Sequence, residues 1–225
     1  MWTSSLADSA EDPPPREQLE QWQRLMSPPE NEFPAGVGTT ILLDSTDDAA
    51  VGITQIEAFS TGFRFTLAVR VRQPRPELAR GGLFMLLSPH LQPGLEIPLA
   101  DRLLLGIEFA DGRRASTLQD RRIQGPGGVA DSEQLVLAEQ GGGGSEQSVD
   151  QTLWVAPLPP EGPVIRILTW PSFGMNESRT LLDGAAIRAA ASRSQPLWPP
   201  QSAPEPPQPP PPPRPEAGWF AEPPN

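Results

Sequence analysis

The sequence predicts an all-β fold, a single antiparallel β-sandwich of the immunoglobulin-like or a related type, with a short C-terminal helix. Three observations predict it. One segment alternates apolar and polar residues strictly, many short apolar runs are separated by turn residues, and only one stretch near the C-terminus has a strongly helical composition. Strict alternation indicates a sheet with one buried and one solvated face, which is typical of antiparallel pairing. We therefore expect roughly eight to ten strands in two packed sheets.

The clearest strand covers residues 63–72, where phenylalanine, leucine and valine alternate with arginine, threonine and alanine. Since successive side chains of a strand point to opposite faces, Arg64, Arg70 and Arg72 are predicted on the solvated face. Arg166 is expected nearby on another strand. This basic stripe has two interpretations: it binds an acidic partner, or it pairs with Glu and Asp on neighbouring strands. Pairing within the sheet is the default.

The other strands follow from short apolar runs bounded by turn residues. They are predicted at 39–43, 51–59, 83–87, 103–109, 113–118, 135–137, 153–155, 164–170 and 179–182. Asp111-Gly112 predicts a tight hairpin in which both central residues have positive φ. The glycine run 141–144 lacks the Lys and the following helix of a phosphate-binding loop, so it predicts a flexible inter-strand loop.

The segments on either side of the sandwich differ in composition from it. Residues 1–35 are polar, with a short amphipathic helix whose apolar residues are Leu19, Trp22, Leu25 and Met26. A helix this short is marginal alone, so it must dock on its own domain or on a partner. The sandwich domain is predicted at 36–198, and 199–225 is expected to be a disordered, proline-rich tail.

The C-terminal helix of the sandwich domain is predicted over residues 185–192. This segment is rich in alanine, and Asp183 is placed to act as its N-cap. Leu197 and Trp198 are then expected to fold back and anchor the end of the domain.

Composition excludes several functional classes. The chain has no Cys, Lys or Tyr and one His, which removes most nucleophiles, bases and metal ligands that enzymes use. Its net charge of −11 disfavours binding to nucleic acid or to anionic membranes. With no secretory signal and no apolar spanning segment, the expected location is the cytoplasm, and no cofactor is expected.

Two small groups of residues suggest binding chemistry. Asp44, Asp47 and Asp48 share a turn and are weak candidates for a Ca²⁺ site, although their spacing differs from the EF-hand pattern. The simpler interpretation is that they solvate the turn. His90 lies between prolines without the context of a hydrolase triad, so an ordinary loop residue is expected.

Carboxylate chemistry is the alternative that composition leaves open. A glycosidase needs two acids about 5–10 Å apart. The available candidates are Glu57, Asp101, Glu108, Asp111 and Asp120. Trp154 and Trp170 lie in strand-like runs and are expected in the core rather than as sugar platforms.

The tail carries the remaining candidate contacts. Residues 209–214 match a PxxP ligand with a flanking arginine, a weak signal in proline-rich sequence. Trp219 and Phe220 are stronger candidates, because two bulky aromatic residues in a polar tail favour docking on a partner or on the chain's own domain.

Several motifs resemble those of a family of uncharacterised bacterial proteins with β-rich domains. The motifs lie at residues 60–67, 107–113, 141–144, 154–160 and 170–171. The resemblance implies a β-rich fold and carries no known chemistry.

The sequence therefore predicts a non-catalytic cytoplasmic protein-interaction or scaffold module that contacts partners through its tail or through a sheet face or edge. The alternative is a ligand-binding domain or a carboxylate-dependent hydrolase linked to carbohydrate or Ca²⁺. A third possibility is a structural subunit of a larger assembly, which a long unpaired strand edge or a large exposed apolar patch would indicate, and no sequence feature separates it from the interaction module. The oligomeric state does not follow from the sequence.

Overall fold

A computed structural model describes residues 16–75, 82–89, 94, 96–118 and 134–199, with side chains from residue 21 onward. Within these ranges it contains two α-helices, α1 (Arg16–Met26) and α2 (Gly184–Ala191). The strands are β1 (Glu32–Phe33), β2 (Ala35–Gly36), β3 (Ile41–Ser45), β4 (Ala49–Ala58), β5 (Phe63–Val71), β6 (Leu104–Phe109), β7 (Arg114–Ser116), β8 (Val136–Gly144), β9 (Ser148–Ala156), β10 (Val164–Trp170), β11 (Met175–Leu182) and β12 (Gln195–Pro196).

The strands form two main antiparallel sheets. In the large sheet the order is β4–β5–β9–β8, and β2 and β3 pair with opposite ends of the outer edge of β4. In the small sheet the order is β11–β10–β6–β7. β1 and β12 make a separate two-stranded pair. The predicted antiparallel sandwich is confirmed, with more strands than expected because three of them have only two residues.

The core lies between the inner faces of the two sheets. β5 buries Phe63, Phe65, Leu67 and Val69 at 0–2% exposure, as the alternation predicts. The exception on the opposite face is Ala68, which is also buried, at 7% exposure. The facing side chains of the small sheet are Leu105, Ile107, Phe109, Val164, Leu168 and Trp170. All belong to one apolar cluster, whose burial is the main force that holds the sheets together.

Helix α1 docks on the outer face of the large sheet. Leu25 and Met26 pack on a second apolar cluster that contains Phe59 and Trp154. The indole N–H of Trp154 donates to the carbonyl of Leu25 at 2.9 Å, and the Gln140 amide donates to the carbonyl of Met26 at 2.8 Å. The helix therefore uses its own domain as its docking surface, one of the two options that the sequence left open.

Helix α2 begins as predicted. The Asp183 carboxylate accepts hydrogen bonds from the backbone N–H groups of Ala185 and Ala186, at 2.9 and 3.1 Å. The predicted anchor after it works differently from the expectation. Leu197 and Trp198 remain 37% and 52% exposed. The chain is held instead by the β1–β12 pair and by two hydrogen bonds, from Leu197 N to the Asn31 carbonyl at 2.8 Å and from the Asn31 side-chain amide to the Trp198 carbonyl at 2.6 Å.

Three local predictions are wrong. Residues 83–86 form a 3₁₀ helix rather than a strand. Leu83 and Leu86 are both buried in the core, whereas two residues three positions apart in a strand would point to opposite faces. In the Asp111-Gly112 hairpin only Gly112 has positive φ, at 88°. The bonds from Gly112 N to Phe109 O and from Phe109 N to Arg113 O make a three-residue loop instead of a two-residue one.

The glycine run is part of a strand, contrary to the prediction. Gly141–Gly144 is the second half of β8 and pairs with β9 from Thr152 to Val149, rather than forming a flexible loop. The turn that joins the two strands lies at 145–147, where Ser145 N donates to Ser148 O at 2.7 Å. Composition alone indicated flexibility, but hydrogen bonding to β9 fixes the backbone.

Candidate functional site: a glycine edge and a polar groove on the large sheet

The outermost strand of the large sheet ends in a segment without side chains. We call Gly141–Gly144 the glycine edge. All four residues are exposed, and among the described residues β8 pairs with β9 alone. In an antiparallel ladder, alternate residues direct their N–H and C=O groups away from the neighbouring strand. The glycine edge therefore presents backbone donors and acceptors on residues that carry no side chains of their own.

Close approach to β9 explains why glycine occupies two of the four positions, Gly142 and Gly144. A Cβ at Gly144 would overlap the carbonyl oxygen of Ser148 and lie 2.8 Å from the Cα of Val149. A Cβ at Gly142 would lie 2.7 Å from the backbone carbonyl oxygen of Asp150 and 2.9 Å from the Phe84 ring. At Gly143, by contrast, a Cβ would meet nothing within 4 Å. Two of the glycines are thus required by packing, and Gly143 is free to vary.

A polar groove of about 280 Å³ lies on the outer face of the same sheet. We define the polar groove by its lining residues Gln55, Glu57, Arg64, Phe65, Thr66 and Thr152. One extra residue in β4, between Ile53 and Ile56, shifts the pairing with β5 and creates a bulge beside the groove. Arg64 Nε lies 2.5 Å from Glu57 Oε2, and its guanidinium stacks 5.3 Å from the centre of the Phe59 ring.

The predicted arginine stripe is present in part. Arg70 lies on the same outer face as Arg64 and pairs with Asp150 at 2.9 Å, so pairing across the sheet is confirmed for both. Arg72 follows the last residue of β5 and is exposed. These contacts place charged and hydrogen-bonding groups along one face of the large sheet.

The expectation for Arg166 is wrong. It lies in the small sheet and points into the core, with 1% of its surface exposed. Burial lowers the pKa of its guanidinium to about 10, because desolvation disfavours the charged form.

A second groove, of about 380 Å³, separates α1 from one end of the large sheet. Its lining residues are Gln21, Arg24, Leu25, Ser60, Thr61, Ala156, Pro157 and Leu158. Behind it, the Glu32 carboxylate accepts bonds from both the backbone N–H and the hydroxyl of Ser60, each at 2.6 Å. These two bonds tie the segment after α1 to the turn before β5.

The three aspartates of the turn between β3 and β4 do not converge. Asp44 accepts a bond from the backbone N–H of Ser45 at 2.7 Å, Asp48 pairs with Arg75 at 2.5 Å, and Asp47 is exposed. Across the described ranges, no group of three or more acidic or histidine side chains is arranged to hold a metal ion. The turn interpretation fits these contacts.

The candidate carboxylates for hydrolysis are dispersed. Glu57 and Glu108 lie on the outer faces of different sheets, and their side chains point away from each other. Since packed sheets are about 10 Å apart, the two carboxylates are farther apart than that. Each already has an arginine partner, Arg64 for Glu57 and Arg114 for Glu108. Asp111 pairs with Arg113, which lowers the pKa of its carboxyl through direct hydrogen bonds. Asp101 is half-buried, and its carbonyl accepts the Trp170 indole N–H at 3.0 Å.

Both strand tryptophans are fully buried, as predicted. Trp170 lies in the sandwich core, whereas Trp154 lies beneath α1 on the opposite face of the large sheet. Neither presents a ring to a ligand in solution.

A buried polar chain was not predicted. The Gln151 amide donates to Ser88 Oγ at 2.5 Å, and Ser88 Oγ donates to Glu139 Oε2 at 2.8 Å. The one available signal was Gln151 itself, a polar residue at an inward position of β9 between Val149 and Leu153.

Some predicted residues lie outside the described residues, namely His90, Asp120, Trp219, Phe220 and the tail from residue 200 onward. In the part of the chain that the structure describes, no helix has the length and apolar character needed to cross a membrane. No protein-family model, no curated protein and no solved structure matches this chain.

Proposed function

We propose that this protein is a non-catalytic, cytoplasmic protein-interaction module that binds an extended segment of a partner protein along the glycine edge. The observation that carries the proposal is the exposed backbone of Gly141–Gly144 on the outermost strand of the large sheet. A partner strand can add to such an edge through main-chain hydrogen bonds.

The lack of edge protection supports this proposal. Proteins usually guard a sheet edge with charged residues, proline or very short strands. β11, the outer strand of the small sheet, carries Glu177 and Arg179 exposed along its length, and β7 has only three residues. β8 has nine residues, and its last four are uncharged glycines. Within the described sandwich, the second half of β8 is therefore an edge segment that has none of these three guards.

The neighbouring polar surface adds side-chain contacts. Arg64, Arg70 and their acidic partners lie on the outer face of the same sheet, where rim charges influence the rate of association and the choice of partner. The net charge of −11 supports a protein partner over nucleic acid. Trp219 and Phe220 are proposed as a second, independent contact in the tail.

The test compares capture of host proteins by the full-length chain and by variants. Gly143→Lys places a charged side chain on the glycine edge, which should prevent strand addition. Because a Cβ at Gly143 would meet no atom within 4 Å, we expect this variant to keep the fold. The matched control, Asn176→Lys, adds the same charge at an exposed position of the small sheet. We expect Gly143→Lys to lose partners that wild type and Asn176→Lys both retain.

Two further variants separate the other contact surfaces. Arg64→Gln tests the polar groove, and the double variant Trp219→Ala with Phe220→Ala tests the tail. If Gly143→Lys keeps every partner, the edge mechanism is refuted. If loss occurs only in the double variant, recognition belongs to the tail alone.

A further inference from the structure

The interior of the sandwich contains a cation, Arg166, that has no counterion among the described residues. Arg166 lies in the middle of β10, paired in register with Thr180 of β11 and Ile107 of β6. Only 1% of its surface is exposed, and its three guanidinium nitrogens have no hydrogen-bond partner among the described residues. Because its pKa is about 10, the side chain remains protonated at neutral pH.

A second orphaned group lies beside it. The hydroxyl of Ser178 is buried and likewise has no hydrogen-bond partner in the part of the chain that the structure describes. Ser178 is two residues from Thr180 on β11, so it shares the inner face with Arg166 and lies diagonally across from it. A buried cation and a buried hydroxyl, both unsatisfied and adjacent on one face, together have the donors that an anion requires.

The described carboxylates that make ion pairs or hydrogen bonds do so elsewhere. Glu57, Asp150, Asp48, Asp111, Glu108 and Glu177 each pair with another arginine. Glu32 is bonded to Ser60, and Glu139 to Ser88. The counterion of Arg166 therefore has to come from outside the described sandwich.

The surroundings select the chemical class of that anion. Val164 and Leu168 flank Arg166 along β10 and Ile107 lies beside it on β6, so its neighbours on these two strands are aliphatic, whereas Thr180 faces it from β11. A monovalent carboxylate neutralises one guanidinium and accepts its forked N–H groups in a bidentate pair. A multivalent phosphate would leave excess negative charge in an apolar core.

Arg166 and Ser178 lie on the inner face of the small sheet, on its edge strand β11 and the neighbouring strand β10. β11 and β3 are the outer strands on this side, and one long side-chain hydrogen bond joins them, from Thr180 Oγ1 to the Leu43 carbonyl at 3.5 Å. We propose that Arg166 and Ser178 form the head-group site for a small organic carboxylate with an aliphatic chain, which enters the core between β3 and β11.

The experiment is calorimetric titration of the full-length chain with potassium hexanoate, at constant ionic strength set with potassium chloride. We expect saturable one-to-one binding to wild type. Arg166→Met should bind at least about tenfold more weakly, because it lacks the charged donors. Replacing an unpaired buried charge by an apolar side chain is expected to preserve the fold. Arg179→Met, which removes an exposed arginine from β11, should bind like wild type.

Three outcomes would overturn the proposal. These are no saturable binding to wild type, equal binding by wild type and Arg166→Met, or complete competition by chloride at equal concentration, which would indicate a simple halide site. Ser178→Ala provides a second test, because it removes one hydroxyl without altering charge. We expect weaker binding in that variant, and unchanged affinity would exclude Ser178 from the site.

Discussion

Replacing Gly144 by alanine should destabilise the fold, whereas the same change at Gly143 should stabilise it. The added methyl at residue 144 would strike the Ser148 carbonyl and approach the Val149 Cα to 2.8 Å. Both atoms are backbone atoms of the paired strand, so the hairpin itself must move to accept the methyl group. At residue 143 the methyl would project into open space.

The size of each effect follows from these contacts. Overpacking of this kind costs about 1–3 kcal/mol of the free energy of unfolding. At Gly143, where the backbone is not left-handed, alanine reduces the entropy of the unfolded chain and stabilises by about 0.4–1 kcal/mol. Two neighbouring variants with the same chemical change should therefore differ by about 1.5–4 kcal/mol.

Urea unfolding at constant pH measures this difference, and thermal unfolding provides a second readout. For a domain of this size, each 1 kcal/mol shifts the Tm by about 2–4 °C. Equal changes in Gly143→Ala and Gly144→Ala would show that residues 141–144 are not held against β9 as described. Stabilisation by both would indicate the flexible loop that composition suggested.

Three further predictions concern single contacts. Asp183→Ala should lower the free energy of unfolding by about 0.5–2 kcal/mol through loss of the α2 cap, while Asp183→Asn should change it little, as urea unfolding can verify. Glu32→Ala should cost about 1.5–3 kcal/mol because Ser60 loses two charge-assisted bonds, and Glu32→Gln should cost less; similar values for the two would argue against those bonds. In an NMR titration the carboxyl of Asp111 should have a pKa below its ordinary value, and Arg113→Gln should raise it. Since the folded-state pKa is the lower one, the interaction stabilises above the unfolded pKa and is lost as pH falls through the folded value.

The sequence predicts the inward face of a strand that has one apolar face. It does not predict the inward face of a strand that is apolar on both faces. In β5 the strict alternation identified both faces, and the structure confirms each buried residue. In β10 the range 164–170 was predicted with its observed bounds, but Ile165 and Ile167 are as apolar as Val164 and Leu168. The hydrophobic pattern therefore could not show which face of β10 points inward, and Arg166 was expected on the solvated face.

The candidate surfaces depended on contacts between distant segments. The role of the glycines arises from the backbone of β9 and, at Gly142, from Phe84, which lies far away in sequence. The polar chain of Ser88, Gln151 and Glu139 likewise joins three separate segments. Local propensity correctly located Asp183 as a cap, because capping involves residues within one turn of helix.

Amide hydrogen exchange of the full-length chain, free and bound to a captured partner, tests the proposed edge interaction most directly. In the free protein, the outward-facing amides of Gly141–Gly144 should exchange rapidly. Binding by strand addition should slow exchange in this segment, with smaller changes elsewhere in the sandwich. Unchanged exchange at the glycine edge, with new protection confined to another surface, would contradict the account.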